Sequence, residues 1–288
     1  MPYATIGDIK LYYYTIADID DDKPTLIFLH GGAGMADHTI YIPFWSQLST
    51  QVNVVFVDQR GCGKSEKGDP NKWNLTQHGK DVCLLCEALG IKKPIVAGVS
   101  WGGYVALSYA IQHPKHPMAL ILCNTEAKVS PSARYDAFLR VANADAAIAV
   151  RNFDENWNPS TNIEYFKRCL PFYAKKAYTQ DELGGCIQNP DLWEKYMKTE
   201  HRTFDFSSKL HSITCPVLYL AGENDPVHPM SCAIETAKKM GENCQLEIIA
   251  DTGDPVYRDK PEETITVIAE FLGKLLHDES IPQLRAKL

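Results

Sequence analysis

The chain lacks an apolar run of the roughly 18 to 20 residues that a membrane-spanning helix needs, and its start, MPYATIGDIK, has no basic and apolar signal-peptide pattern. We therefore expect no membrane partner and a cytoplasmic location. Basic residues are also few, since 29 Lys and Arg stand against 36 Asp and Glu, a net charge of -7. This charge gives phosphate backbones no attraction, so nucleic acid is not an expected partner.

Metal and cofactor patterns are missing as well. Nine cysteines form an odd set within apolar segments, which predicts free thiols of a reducing compartment. Cys83 and Cys86 make one CxxC, but no second pair stands at zinc spacing, so we expect both in the core. Neither GxGxxG nor GxxxxGK[ST] is present. The sequence thus implies no cofactor and no metal.

The chain instead shows alternating strand and helix patterns. The alternating, β-rich segment KLYYYTIAD predicts a first strand, and apolar runs at residues 25–30, 53–59, 95–100 and 118–124 predict strands buried on both faces. Helical spacing appears between them at 42–50, and again in LTQHGKDVCLLCEALGI, with Thr76 as N-cap and Gly90 at the end. Such alternation predicts an α/β fold with a mostly parallel central sheet and flanking helices.

The alternation stops for about 80 residues and then resumes. Residues 127–210 have helical patterns without a strand. A strand at 216–222, a helix over PMSCAIETAKKMG, a strand at 245–250 and a last helix from Pro261 to about His277 follow. We predict a core domain of residues 1–126 and 211–288, interrupted by a helical insertion at 127–210.

The strongest chemical signal is GVSWGG, at the junction of a predicted strand and helix. It matches the GxSxG nucleophile elbow, in which Gly98 and Gly102 leave room for a sharp turn. The elbow holds the Ser100 hydroxyl above the sheet at the positive end of a helix. Ser100 is therefore the candidate nucleophile. An incidental serine in a glycine-rich turn is the alternative.

A second glycine-rich loop, HGGAG, follows the strand TLIFLH. Its glycines allow the backbone to pass Ser100 and to present an N–H to a substrate oxygen. We predict an oxyanion hole from the amides of Gly32 and Trp101. His30 is expected to order this loop by hydrogen bonding rather than to act as the catalytic base.

The segments HGGAG, DQRGCGKS, GVSWGG, GENDPVHP and DKPEE together resemble the α/β-hydrolase superfamily. The combination of HGG, DQRGxGxS and GxSWGG is similar to its proline iminopeptidase-like branch. The resemblance implies an α/β-hydrolase fold in which residues 127–210 are a helical cap. It also implies a serine peptidase or esterase activity, with DQRGCGKS as a structural turn beside the site.

The resemblance implies Asp225 as the catalytic acid, because PVLYLAGENDPVHP carries it after a late strand. A turn aspartate before Pro226 is the structural alternative. Glu126, at the end of an earlier strand, is the second candidate for the acid.

The family's base histidine is absent from its expected place. After the strand QLEIIA the family has a Gly-His pair, and here the residues are Gly253 and Asp254. An aspartate has an ordinary pKa near 3.9 against about 6.5 for histidine, so it is a weaker base and also reaches less far. Beside Asp225 it would form a like-charge pair that shares a proton.

Three explanations stay open for the base. Asp254 itself acts as the base, or His38 or His228 acts as the base in its place, or an ancestral histidine was lost and the base is missing. His277 lies too far along the last helix to match the position of the family's histidine. Loss of a triad base costs about 10⁶ in turnover. We expect a hydrolase of a small peptide, amide or ester with impaired or altered chemistry. A non-catalytic binding protein and a non-hydrolytic enzyme on the same scaffold are the alternatives.

The insertion is rich in residues suited to a substrate pocket. Acidic residues Asp154, Glu155 or Glu200 are candidates to bind a substrate amine, as the aminopeptidase resemblance implies. Aromatic side chains that could roof an apolar pocket, or merely pack the insertion onto its base, are Trp157, Tyr165, Phe166, Phe172, Tyr173, Trp193 and Tyr196. The sequence does not indicate the oligomeric state.

Overall fold

A computed structural model describes residues 2–176, 182 and 184–277. Within these residues one eight-stranded sheet has the order β1-β2-β4-β3-β5-β6-β7-β8, and all pairings from β4 to β8 are parallel. The predicted mostly parallel sheet is confirmed, with β1 and β2 added antiparallel at one edge. The strands are β1 Tyr3–Ile6, β2 Ile9–Thr15, β3 Thr25–Leu29, β4 Asn53–Val57, β5 Ile95–Val99, β6 Ala119–Cys123, β7 Val217–Gly222 and β8 Cys244–Ile249.

Helices cover both faces of this sheet. Those described are α1 Ile42–Trp45, α2 Leu75–Ala88, α3 Trp101–Gln112, α4 Pro131–Val141, α5 Ala144–Glu155, α6 Pro159–Cys169, α7 Pro190–Thr199, α8 Met230–Met240, α9 Val256–Asp259 and α10 Pro261–His277. The helix predicted at 42–50 consists of α1 and a following 3-10 helix, Ser46–Thr50.

The start of α2 was predicted two residues too late. Asn74, not Thr76, is the N-cap, because Asn74 has an extended backbone and its side chain accepts from Gln77 N at 2.9 Å. Thr76 lies inside the helix. The predicted end is confirmed, since Gly90 follows the helix with a φ of +71° that glycine adopts without strain.

The continuous apolar runs do mark strands buried on both faces, because every residue of β3, β5 and β6 is buried. All nine cysteines are free thiols, as predicted. Cys86 is buried and Cys83 half-buried on α2, which agrees with a packing role for the CxxC. No helix in the described ranges is long and apolar enough to cross a membrane.

The segment between β6 and β7 contributes helices α4 to α7, which we call the inserted helices, and no strand among its described residues. Asn189, just before α7, anchors this segment to two loops of the sheet domain. Its N–H donates to Gly34 O at 2.7 Å, and its side-chain amide donates to Gly61 O at 2.8 Å. The inserted helices therefore lie over the loops that follow β3 and β4.

Candidate active site

Ser100 stands at a sharp turn between β5 and α3 with a φ of +53° and a ψ of -120°. A methyl group at Gly98 would overlap the Gly102 carbonyl, and one at Gly102 would overlap the Leu29 carbonyl oxygen. The strained turn is held by Ser100 N–H donating to Cys123 O at 3.0 Å. Ser100 is half-buried and faces a cavity of about 370 Å³.

The HGGAG loop borders the same cavity with Gly32, whose φ is +66°. His30 is fully buried beneath it, with Nδ1 2.8 Å from Gly31 O and Nε2 accepting from Gln59 N at 3.3 Å. His30 thus orders the loop, as the sequence predicts. The amide of Trp101 opens α3, where the first N–H groups have no acceptor within the helix, so it is available to a ligand.

Asp225 lies in the loop after β7 and is completely buried. Its Oδ1 accepts from Val227 N at 2.7 Å and from His228 N at 2.8 Å, and its Oδ2 accepts from Asn124 Nδ2 at 2.8 Å. Burial raises the pKa of the Asp225 carboxyl despite these donors. The carboxylate is held in one orientation by donors from three residues.

Asp254 follows β8 and lines the cavity with Ser100. Its N–H donates to Tyr173 O at 2.6 Å, a contact with the inserted segment. Burial and the neighbouring charge of Asp225 raise the pKa of the Asp254 carboxyl well above its ordinary range. Among the described residues, no hydrogen bond joins this carboxyl to Ser100, so the predicted aspartate reaches the cavity without hydrogen-bonding the serine.

Of the two histidines considered as replacement bases, only His228 lines the cavity. His38 is buried away from the cavity lining, with Nδ1 2.7 Å from Asp58 Oδ1. His228 does line the cavity, and its Nδ1 lies 3.8 Å from Asp254 Oδ2. Burial lowers the pKa of His228 to about 3, so its imidazole is neutral. The side chain of His277 lies outside the described residues.

Glu126, the second candidate for the acid, lines another wall of the cavity. Its Oε2 is buried and has no hydrogen-bond partner within the part of the chain that the structure describes, and its surroundings include Arg134 and the Cys232 thiol. Asp225, by contrast, is linked to the Asp254 loop, because Asn124 Nδ2 donates both to Asp225 Oδ2 and to Gly253 O.

With glutamine in place of Glu126, the free energy of unfolding is expected to decrease less as pH rises. Burial raises the pKa of Glu126 from 4.5 to about 8, so the folded chain holds a proton that the unfolded chain has released between these values. The folded state is therefore destabilised as pH rises through this window. When melting temperatures are measured from pH 5 to 9, the melting temperature of Glu126→Gln should rise relative to that of the starting protein as pH increases. A constant difference between the two proteins would contradict this. The exposed Glu235→Gln is the control variant, and its difference from the starting protein should stay constant.

Arg134 of α4 is the centre of a buried polar network among the inserted helices. It pairs with Asp154 of α5 and donates to Tyr165 Oη of α6 at 2.9 Å. His201 Nε2 lies 2.9 Å from Asp154 Oδ1, and Tyr165 also hydrogen-bonds Tyr173. Arg134, Tyr165, Tyr173 and His201 all face the cavity, so the network forms its polar wall.

The predicted aromatic roof is largely present. Tyr165, Phe166, Tyr173, Trp193 and Tyr196 line the cavity, whereas Trp157 and Phe172 do not.

None of the acidic residues suggested for a substrate amine lines the cavity. Asp154 is neutralised by Arg134, Glu200 accepts from Leu75 N at 2.9 Å, and Glu155 is exposed. The pairing of Asp154 with Arg134 and the hydrogen bond of Glu200 with Leu75 N are contacts that the sequence does not reveal.

Several site residues carry no signal recognised in the sequence. Arg134, Phe153 and His201 line the cavity although each sits in an ordinary helical stretch or loop. Asn124 orients Asp225, and the available clue is its place at the end of β6, where parallel strands present functional groups.

A strained serine turn after β5, a glycine loop after β3 and acidic loops after β7 and β8, placed on a mostly parallel sheet, are the arrangement of an α/β hydrolase. The sequence model of the alpha/beta hydrolase fold family matches residues 24–261, and this chain belongs to that family.

Among its relatives, the chain is similar to proline iminopeptidases. PfmaB, a proline iminopeptidase of Pestalotiopsis fici, is 25% identical over 275 residues, covering 88% of this chain and 93% of PfmaB.

Solved structures show the same fold. The proline iminopeptidase of Mycobacterium smegmatis has a TM-score of 0.79 at 24% identity and covers 95% of this chain and 97% of its own. An esterase of Exiguobacterium antarcticum has a TM-score of 0.72 at 17% identity, covering 94% and 98%.

Proposed function

We propose that this hydrolase cleaves a small peptide, amide or ester through the Ser100 hydroxyl, with Asp225 and Asp254 as its acidic partners. The observation that carries the proposal is the strained Ser100 turn, which faces a cavity lined also by Asp254. The amides of Gly32 and Trp101 supply the oxyanion hole. Residues 127–210 act as the cap that roofs the site.

The reaction begins with attack of Ser100 Oγ on the substrate carbonyl, while its proton passes to a base. Collapse of the tetrahedral intermediate breaks the bond to the amine or alcohol, which leaves with the proton from the base, and Ser100 stays acylated. Water then attacks the acyl-enzyme, releases the carboxylic acid and restores the Ser100 hydroxyl. The aspartate side chain at position 254 is shorter than a histidine side chain, whose imidazole would contact both Ser100 and Asp225. We therefore assign the chain a slow acylation step.

The cavity supports a small and largely apolar acyl group. Five aromatic side chains of the insertion line it, and its volume of about 370 Å³ suits one amino-acid residue or an acyl group of similar size. The relatives named proline iminopeptidase and esterase agree with an N-terminal residue of a short peptide, or an ester, as the substrate class. Glu126 provides a buried polar contact in the same cavity.

Covalent labelling tests the nucleophile directly. A fluorophosphonate probe should modify Ser100, as located by mass spectrometry, and Ser100→Ala should stay unlabelled. Label on another residue, or equal label in the Ser100→Ala variant, would contradict the assignment.

A non-catalytic binding protein is the second candidate, favoured by the lack of any hydrogen bond between Ser100 and the Asp254 carboxyl among the described residues. It predicts an unreactive Ser100 together with binding of small apolar amides in the cavity.

A further inference from the structure

Three metal-ligating side chains meet beside the cavity in a way that no step above uses. His228 Nδ1 lies 3.9 Å from Asp225 Oδ2 and 3.8 Å from Asp254 Oδ2, and the three ligand atoms are all within 4.8 Å of one another. We propose that Asp225, His228 and Asp254 bind one divalent transition-metal ion of the zinc class.

A buried nitrogen atom without a hydrogen-bond partner among the described residues indicates that the ligand is a cation. His228 is only 3% exposed, and its Nδ1 has no hydrogen-bond partner among the described residues. At 3.8 and 3.9 Å, the carboxylate oxygens are too far for hydrogen bonds to it. Three acceptors therefore converge on a space that a cation would fill.

The available donors are already committed elsewhere. Asn124 Nδ2 donates to Asp225 Oδ2 and to Gly253 O, so neither of its protons reaches His228. On the far side of the ring, His228 Nε2 lies 3.1 Å from Tyr104 Oη. In the metal-bound form Nε2–H donates to that hydroxyl and leaves the Nδ1 lone pair for the ion, as outer-shell partners of ligating histidines do.

The separations and charges fit such an ion. Zinc bonds of about 2.1 Å in tetrahedral geometry place ligand atoms about 3.4 Å apart. The two His228–carboxylate separations of 3.8 and 3.9 Å therefore need to contract by about 0.5 Å. Two carboxylates balance a 2+ charge, and one imidazole with two oxygens suits zinc, cobalt or manganese better than magnesium or calcium. Asp254 and His228 line the cavity, which gives the ion an entry path and leaves a ligand position open.

A second histidine cluster in the same chain shows the contrast. In the group of Asp37, His38 and Asp58, the imidazole Nδ1 is 2.7 Å from Asp58 Oδ1 and is therefore closed by a hydrogen bond. The Asp225 group differs because its imidazole nitrogen has no such partner.

Cobalt titration of the untagged, chelator-stripped full chain tests the proposal. We expect one equivalent of Co²⁺ to bind, with visible d–d bands and no thiolate charge-transfer band. Asp254→Asn and His228→Gln should each weaken binding at least about tenfold. Circular dichroism verifies that both variants are folded, and the exposed His211→Gln is the matched control that should bind normally.

Unchanged binding in both site variants, a thiolate band, or no binding by the starting protein would overturn the metal site. The inference does not depend on the proposed function, because Ser100→Ala should bind cobalt as the starting protein does. Failure of Ser100 labelling and failure of cobalt binding are therefore separate results.

Discussion

Asp254→His should raise hydrolysis of an activated ester by about 10³-fold or more. Loss of a triad base costs up to about 10⁶ in turnover, so this gain is a partial recovery. An imidazole at 254 would accept the Ser100 proton and return it to the leaving group, with Asp225 holding its other nitrogen. The nearest obstacle is His228, whose Nδ1 lies 3.8 Å from the Asp254 carboxylate.

The assay compares a p-nitrophenyl ester and an N-terminal-prolyl chromogenic amide, with EDTA present to remove any bound metal. Ser100→Ala, alone and combined with Asp254→His, gives the blank. The double variant Asp254→His/His228→Val makes room for the new ring beside Asp225. If the starting protein already turns over and neither histidine variant gains, then Asp254 or His228 is a working base and the damaged-triad interpretation is wrong.

Arg134→Met should destabilise the protein by about 3 to 5 kcal/mol, the usual cost of breaking a buried ion pair by removing one partner. The loss leaves Asp154, which is completely buried, with His201 as its remaining partner. One Asp154 oxygen already lacks a hydrogen bond among the described residues. The network joins α4, α5 and α6, so the damage should spread through the inserted helices.

Urea unfolding measures the effect, with Arg168→Met as the matched control on the same set of helices. Arg168 is 43% exposed in its pairs with Glu164 and Asp145, and such surface pairs contribute about 0 to 1 kcal/mol. The double variant Arg134→Met/Asp154→Leu should recover part of the loss, because it removes the stranded charge. Equal losses in Arg134→Met and Arg168→Met would contradict the assigned role.

The centre of the sheet was predictable because β3, β5, β6 and β7 are fully buried and therefore continuous in apolar residues. The four apolar runs from 25 to 124 became β3, β4, β5 and β6. The missed strand, Tyr3–Ile6, is an edge strand of four residues with alternate exposure, so it gives no continuous run.

The site was predictable only where chemistry dictates the backbone. Ser100 is marked by the glycines that its turn requires, and those positions admit no side chain. The pairing of Arg134 with Asp154, by contrast, depends on how α4 packs against α5, which neither segment's pattern specifies. The same limit applies to His228, because only the fold brings it between two carboxylates from different loops.

The loop that carries Asp254 is fixed through its main chain. Asn124 donates to Gly253 O at 3.0 Å, Asp259 accepts from Gly253 N at 2.8 Å, and Tyr173 accepts from Asp254 N at 2.6 Å. None of these bonds uses the side chain at position 254. Since aspartate and histidine codons differ only at their first base, a single point mutation would place the histidine that the family resemblance implies on this loop, and none of these three main-chain bonds would be lost.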